Sequence, residues 1–296
     1  MITTKYIIMK NELRDGRDSH LIPMTSVAAG TGHEVAPDVY YYTNQIVNVI
    51  FFGKPNEKWV LIDAGVPQSA HNIIAAAEKR FGKGAKPEYI VLTHGHFDHV
   101  GSLVALLEKW GDIPVYAHPY EFPYLTGKEK YPEPDSTVEG AGLLAKMTFA
   151  YPEDSIDITP VLNELPHDNS IPGMPGWQWV HTPGHSPGHT SFFREQDSLL
   201  IAGDAFITVQ QDSLYKVLVQ KQELHGPPVY FTTNWTDARQ SVRKLNNLEP
   251  EIAITGHGHY MHGEKLKEDL NKLAMNFDEL ALPEYGKYVK ESDKEK

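Results

Sequence analysis

Apolar residues recur along the chain in two rhythms, one helical and one extended. Ile73, Ile74, Ala77 and Phe81 fall at helical spacing and predict a helix over 70–81. Leu103, Leu106, Leu107 and Trp110 mark a second helix, and Ala238, Val242, Leu245 and Leu248 a third, with Asn234 as its cap. A last amphipathic helix begins at about Glu264. The extended runs are shorter. Residues 46–52 and 58–62 flank Gly-Lys-Pro-Asn-Glu and read as a hairpin ending in the sharp turn Asp63-Ala64-Gly65. Residues 89–92 form a continuously apolar, buried strand, and 113–117, 177–180, 191–194, 199–202 and 252–254 are strand-like.

Regularity fades in four places. The first 35 or so residues read as a leading arm, and 119–176 is longer than an ordinary connection, as is 205–233, so both are expected to be cap insertions. The last dozen residues, rich in Lys, Glu and Asp, read as a solvated tail. The organisation predicted is one domain over 1–282 followed by a charged, poorly ordered tail over 283–296. Strands and helices alternate, which fits an α/β class molecule with two sheets packed face to face and helices outside.

Composition narrows the chemistry. A chain of 296 residues, 41% hydrophobic, can bury a large core. The formal net charge of -12 argues against a groove for nucleic acid, and a small-molecule partner is expected instead. No stretch approaches the roughly 18 apolar residues of a membrane span, and no leader is recognisable, so a cytoplasmic protein without membrane contact is expected. Cysteine is absent, which removes thiolate nucleophiles, disulfides and every sulfur-ligated metal site. Any metal must be held by nitrogen and oxygen.

The sharpest local signal is Thr93-His94-Gly95-His96-Phe97-Asp98-His99, directly after the buried strand. In extended chain, positions 94 and 96 project to one side and can share an ion; as the chain turns, Asp98 and His99 can face a second. Three further candidates, His185, Asp204 and His257, each follow a glycine after an apolar strand. One motif competes: Gly184-His185-Ser186-Pro187-Gly188 fits the nucleophile elbow G-x-S-x-G. That elbow needs a helix after its serine, and Pro187, Gly188 and the strand-like run that follows deny it.

Taken in order, Leu-Ile-Asp63-Ala-Gly, Thr-His94-Gly-His96-Phe-Asp98-His99, Thr-Pro-Gly-His185-Ser-Pro-Gly-His189-Thr, Ala-Gly-Asp204 and Thr-Gly-His257 resemble the motif series of the metallo-β-lactamase superfamily, over roughly residues 46–260. The resemblance implies a four-layer αββα sandwich of two mixed β-sheets flanked by helices. It implies two divalent metal ions, one on His94, His96 and His185 and the other on Asp98, His99 and His257, with Asp204 bridging and Asp98 and Asp204 counted as catalytic. Zinc is the default, and iron or manganese suits the same donors. Asp63 would accept the free ring N–H of a ligand histidine and fix its tautomer.

The chemistry implied is attack by a metal-bridging hydroxide on a small ester, thioester or lactone carbonyl. Hydroxyacylglutathione hydrolases and acyl-homoserine lactonases are similar in these motifs, although the tyrosine that lactonases carry three residues after the bridging aspartate is Ile207 here. The alternatives are an iron-dependent oxidoreductase on the same scaffold or a ligand-binding member without catalysis. Aromatic residues in the two insertions, Tyr120, Phe122, Tyr124, Tyr131, Phe149 and Tyr151 in the first and Phe206, Tyr215, Tyr230 and Phe231 in the second, are candidates for an apolar pocket over the metals.

Overall fold

The run 47–52 is buried at every position, so it must be covered on both faces. Its side chains alternate between two cores: Val49 and Phe51 meet residues of the helices over 70–81 and 103–110, while Ile50 and Phe52 meet strands of a second sheet. That alternation sets the layers. The structure is a computed structural model that describes residues 7–8, 29–138, 156–209 and 224–293.

Among the described residues a short strand β1 (Ile7–Ile8) pairs only with β8 (Ile156–Asp157). The larger sheet has seven strands in the order β2 (Gly32–Ala36), β3 (Val39–Asn44), β4 (Val47–Phe52), β5 (Val60–Ile62), β6 (Tyr89–Val91), β7 (Val115–Ala117) and β9 (Leu162–Glu164). Neighbours from β2 to β5 are antiparallel and those from β5 to β9 parallel. Parallel neighbours need crossovers, supplied by α1 (Ala70–Phe81) and by the short α2 (Phe97–Val100) with α3 (Leu103–Trp110). A further one-turn helix, α4 (Phe122–Leu125), follows β7.

The second sheet has the order β10 (Trp177–His181), β11 (Thr190–Arg194), β12 (Leu199–Gly203), β13 (Ile252–Thr255) and β14 (Met261–His262). Its parallel pair, β12 and β13, is joined through α5 (Trp235–Asn246). Two helices close the described chain, α6 (Gly263–Met275) and α7 (Phe277–Leu280). Leu199 and Ile201 of β12 point into the core between the sheets, whereas Leu200 and Ala202 pack under α5 and α6. The result is four layers, helix, sheet, sheet, helix. At one edge Arg194 of β11 grips Asp38 of the β2–β3 turn at 2.6 Å, stitching the sheets together. Among the described residues no helix is long and apolar enough to cross a membrane.

Three sequence expectations need correction. The leading arm ends in strand β2, and β3 follows it, so the larger sheet begins at Gly32. The stretch 119–176 is not all cap: Leu162–Glu164 joins the larger sheet beside β7, and Ile158, Val161, Leu165, Ile171 and Met174 are buried. A strand with one apolar residue in three is invisible to a pattern search, yet as an edge strand it needs only its backbone. The charged tail docks as far as Asp293, because Thr236 and Arg239 of α5 donate to that residue.

Candidate metal centre

Five segment ends meet at one rim of the two sheets. Asp63 follows β5, Thr93–His99 follows β6, Asp204 follows β12 and His257 follows β13, all at carboxyl ends of parallel strands. His185 lies in the turn between β10 and β11. Such ends gather side chains from distant parts of a chain without distorting the sheet.

The seven predicted residues come together, all buried. One ring nitrogen each from His94, His96 and His185 lies within 4.8 Å of the others, as do donor atoms of Asp98, His99 and His257 and of His94, His99 and Asp204. Asp204 occupies the middle: its Oδ2 is 3.4 Å from His185 Nε2, 3.6 Å from His99 Nε2 and 3.3 Å from His257 Nε2. Asp98 Oδ2 is 3.3 Å from the same His257 nitrogen. Asp204 is held close by Gly256, where any β-carbon would stand 2.0 Å from Asp204 Oδ1.

Each histidine except His96 is oriented through its other nitrogen. His94 Nδ1 lies 3.0 Å from Thr93 Oγ1, His99 Nδ1 2.8 Å from Asp63 Oδ2, His257 Nδ1 2.9 Å from the Ile46 carbonyl and His185 Nδ1 3.4 Å from Thr232 Oγ1. These bonds leave Nε2 of each ring as the inward donor. Asp63 thus faces the outer ring nitrogen of His99. His189 supports the cluster from outside, accepting from the Asp204 backbone N–H at 2.9 Å while its Nδ1 faces the Thr182 carbonyl at 3.1 Å.

Protonation divides the cluster. Burial drives His96 down to about 4 and His189 to about 3, and burial with neighbouring histidines holds His94 and His185 well below their ordinary value. These imidazoles are neutral at pH 7, and those of His94, His96 and His185 keep a lone pair facing the centre. Burial also opposes charge on His99 and His257, but carboxylates outweigh it: Asp204, Asp63 and Asp98 hold His99 well above its ordinary value, and Asp204 and Asp98 raise His257 to about 10. Conversely Asp204 and Asp98 stay below the ordinary carboxyl range despite burial, because His257 and His99 face them.

A cation would complete this arrangement. His94 Nε2, His99 Nε2 and Asp204 Oδ1 are buried with no hydrogen-bond partner among the described residues, a costly state for polar atoms. His96 Nδ1 and His185 Nε2 face each other at 2.9 Å, two lone-pair donors aimed at one place. The donor set is all nitrogen and oxygen, suited to zinc, iron or manganese.

Two of the expected aromatic residues reach the centre. Tyr131 packs edge-on against His96 with ring centroids 4.5 Å apart, and Phe231 lies 5.3 Å from His96 and 6.1 Å from Phe97. Others are spent elsewhere: Phe206 is in the core beneath α5, Tyr230 is buried, Phe122 packs beside α3's core, and Tyr120 faces solvent. Tyr124 stacks on Tyr131 at 3.9 Å. Phe149, Tyr151 and Tyr215 lie outside the described residues. Thr232 and Glu121 support the site without any sequence motif of their own, since each acts through geometry that pairs remote segments.

The family model for the metallo-beta-lactamase superfamily matches residues 42–257. A relative from Bacillus subtilis (strain 168), the probable metallo-hydrolase YflN, is 51% identical over 257 residues, spanning 86% of this chain and 96% of the relative. A hydroxyacylglutathione hydrolase of Xylella fastidiosa (strain M23) is 28% identical over 180 residues, 59% of this chain and 53% of that protein. Among solved structures, a metallo-beta-lactamase family protein from Thermus thermophilus, TTHA1429, superposes with a TM-score of 0.56 at 18% identity, covering 83% of this chain and 81% of the other. At that identity the likeness speaks for the fold alone.

Proposed function

Given that the chain belongs to the metallo-beta-lactamase superfamily, we propose that it is a metal-dependent hydrolase of a small ester, thioester or lactone, working with two ions, zinc by default. The observation that carries this reading is the convergence of two donor triads on either side of Asp204, each within 4.8 Å, with an inward nitrogen on every histidine. The name of its relative YflN, a probable metallo-hydrolase, supports the same class.

His94, His96 and His185 would hold one ion and Asp98, His99 and His257 the other, with Asp204 shared between them. When bound, such a pair supplies Lewis-acid polarisation of a carbonyl and lowers the pKa of water to near 7. The chain's own residues do the rest. Thr93, Asp63, Thr232 and the Ile46 carbonyl fix tautomers and ring angles, so the donors need no rearrangement as a substrate arrives. Tyr131, Phe97 and Phe231 form an apolar wall beside His96, which excludes water and suits an uncharged acyl or ring portion of the substrate. Ser186 does not fit a nucleophile elbow, because it is buried and is followed by a turn and strand β11 rather than a helix.

The test is a panel of esters, thioesters and lactones offered to zinc-loaded protein, with Asp98→Asn beside it. Turnover by the wild type that a chelator abolishes and zinc restores, and that Asp98→Asn loses while keeping its circular dichroism, is the expected result. Turnover indifferent to chelator, or retained in full by Asp98→Asn, would overturn the assignment.

A further inference from the structure

The two loops that carry the three-histidine triad are tied together by one side chain. Glu121 closes the 3-10 turn Pro119–Glu121 and is 0% exposed. Four donors converge on its carboxylate. Oε2 accepts from the Gly95 N–H at 2.9 Å and from the Tyr131 hydroxyl. Oε1 accepts from Ser186 Oγ at 2.8 Å and from the Gly188 N–H at 2.7 Å. One oxygen therefore holds the chain between His94 and His96, and the other holds the chain just beyond His185. The fit leaves no slack: a β-carbon at Gly188 would stand 2.8 Å from Glu121 Cγ. A buried carboxylate is costly unless its lone pairs are fully used, so the loops are bound to the one geometry that uses them.

We propose that Glu121 is a positioning residue of the metal centre, clamping the His94–His96 loop to the His185 loop so that three imidazoles meet at one ion. The proposal rests on the metal-centre reading above. His99 and His257 have separate supports, Asp63 and the Ile46 carbonyl, so the clamp acts on one ion of the pair. It also gives Ser186, Gly188 and Gly95 a shared role as the clamp's contacts.

Glu121→Gln is nearly isosteric but has a single acceptor oxygen; whichever way the amide turns, its NH2 faces the N–H of Gly95 or of Gly188. The experiment titrates metal-free protein with zinc against a chromophoric chelator to obtain the stepwise affinities, and records the absorption spectrum of the cobalt(II) form. Glu121→Gln is expected to weaken one step by about tenfold or more, to leave the other within about twofold, and to alter the cobalt spectrum. Ser186→Ala, which removes one donor of the four, should shift the same step less. Unchanged affinities, or both steps falling together with a lowered melting temperature of the metal-free protein, would overturn the proposal. Should Glu121→Gln not fold, Ser186→Ala and Tyr131→Phe decide in the same assay, and wild-type affinities in both would overturn it. Wild-type protein binding fewer than two ions would instead overturn the paired-ion reading, and the clamp would then be judged on the affinity of the single ion.

Discussion

Asp63 takes three hydrogen bonds on two oxygens: Oδ1 accepts from the Thr93 N–H, and Oδ2 from Thr93 Oγ1 and His99 Nδ1, each at 2.8 Å. Because Thr93 Oγ1 also meets His94 Nδ1, a single carboxylate orients one histidine of each triad. Asparagine tolerates the left-handed backbone that Asp63 adopts at φ 60, so Asp63→Asn isolates the side-chain chemistry. Its NH2 must face either the Thr93 N–H or His99, and the latter forces His99 to turn its proton inward. We expect metal affinity to fall about 10- to 100-fold at both steps, in contrast to Glu121→Gln, with the fold retained. Equal affinity in a chelator competition would contradict this. Protons report on the same residues. His257, raised to about 10, contributes stability to the metal-free protein that is fully present below its ordinary 6.5 and is lost as pH rises towards 10. His96, depressed to about 4, contributes stability present above 6.5 and lost as pH falls towards 4. The melting temperature of metal-free protein should therefore peak near pH 6.5 and decline on both sides, a curve that a pH series of thermal melts would reveal.

At the scale of elements, helices were the most legible part of the chain, because a buried stripe repeats over several turns and its ends carry caps. The α5 prediction is the example: Asn234 stands in extended backbone and its side chain accepts from the Asp237 N–H at 3.1 Å. Asn234→Ala should lower stability by about 1 kcal/mol without touching activity per metal-loaded molecule, measurable as a shift in denaturant midpoint. Strands were legible where apolar runs end near a glycine and an Asp or His, which is why Asp204 and His257 could be placed at strand ends. Strand β3 shows the opposite case. Its three tyrosines alternate, Tyr41 buried between the sheets and Tyr40 beneath Arg80, but hydroxyls blur the contrast that an alternation search needs. Glu121 was illegible for another reason: nothing adjacent in sequence marks a carboxylate whose partners lie 26 and 67 positions away.

The whole molecule adds a constraint on the pocket that no single element carries. Tyr131 stands on the first insertion and Phe231 on the second, and the two segments meet at Asp135, whose N–H donates to the Tyr230 carbonyl at 2.7 Å. Asp135 is 2% exposed and also binds the C-terminal segment, accepting from the Lys287 N–H at 2.5 Å and from Thr137 Oγ1 at 2.6 Å. That segment continues to Asp293, which is anchored on α5 by Thr236 and Arg239. A segment that looks solvated in sequence keeps Glu284, Lys287, Lys290 and Glu291 exposed, yet through Asp293 and the Lys287 N–H it straps both walls of the pocket to the second sheet's helices. Asp135→Ala removes the side-chain acceptor at the junction and leaves the Lys287 N–H without it, a loss of about 1–3 kcal/mol. The metal triads have no bond to Asp135, and Tyr131 supplies one clamp donor of four, so the protein should still load metal, weakened at the clamped step no more than in Tyr131→Phe. The wall residues, freed to move, should bind the apolar part of a substrate less well, so KM rises more than kcat falls, and amide exchange accelerates over 284–293. Mass-resolved hydrogen exchange together with steady-state kinetics would test both halves; a variant that loses metal, or one that exchanges like the wild type over that segment, would show that the strap does not act as described.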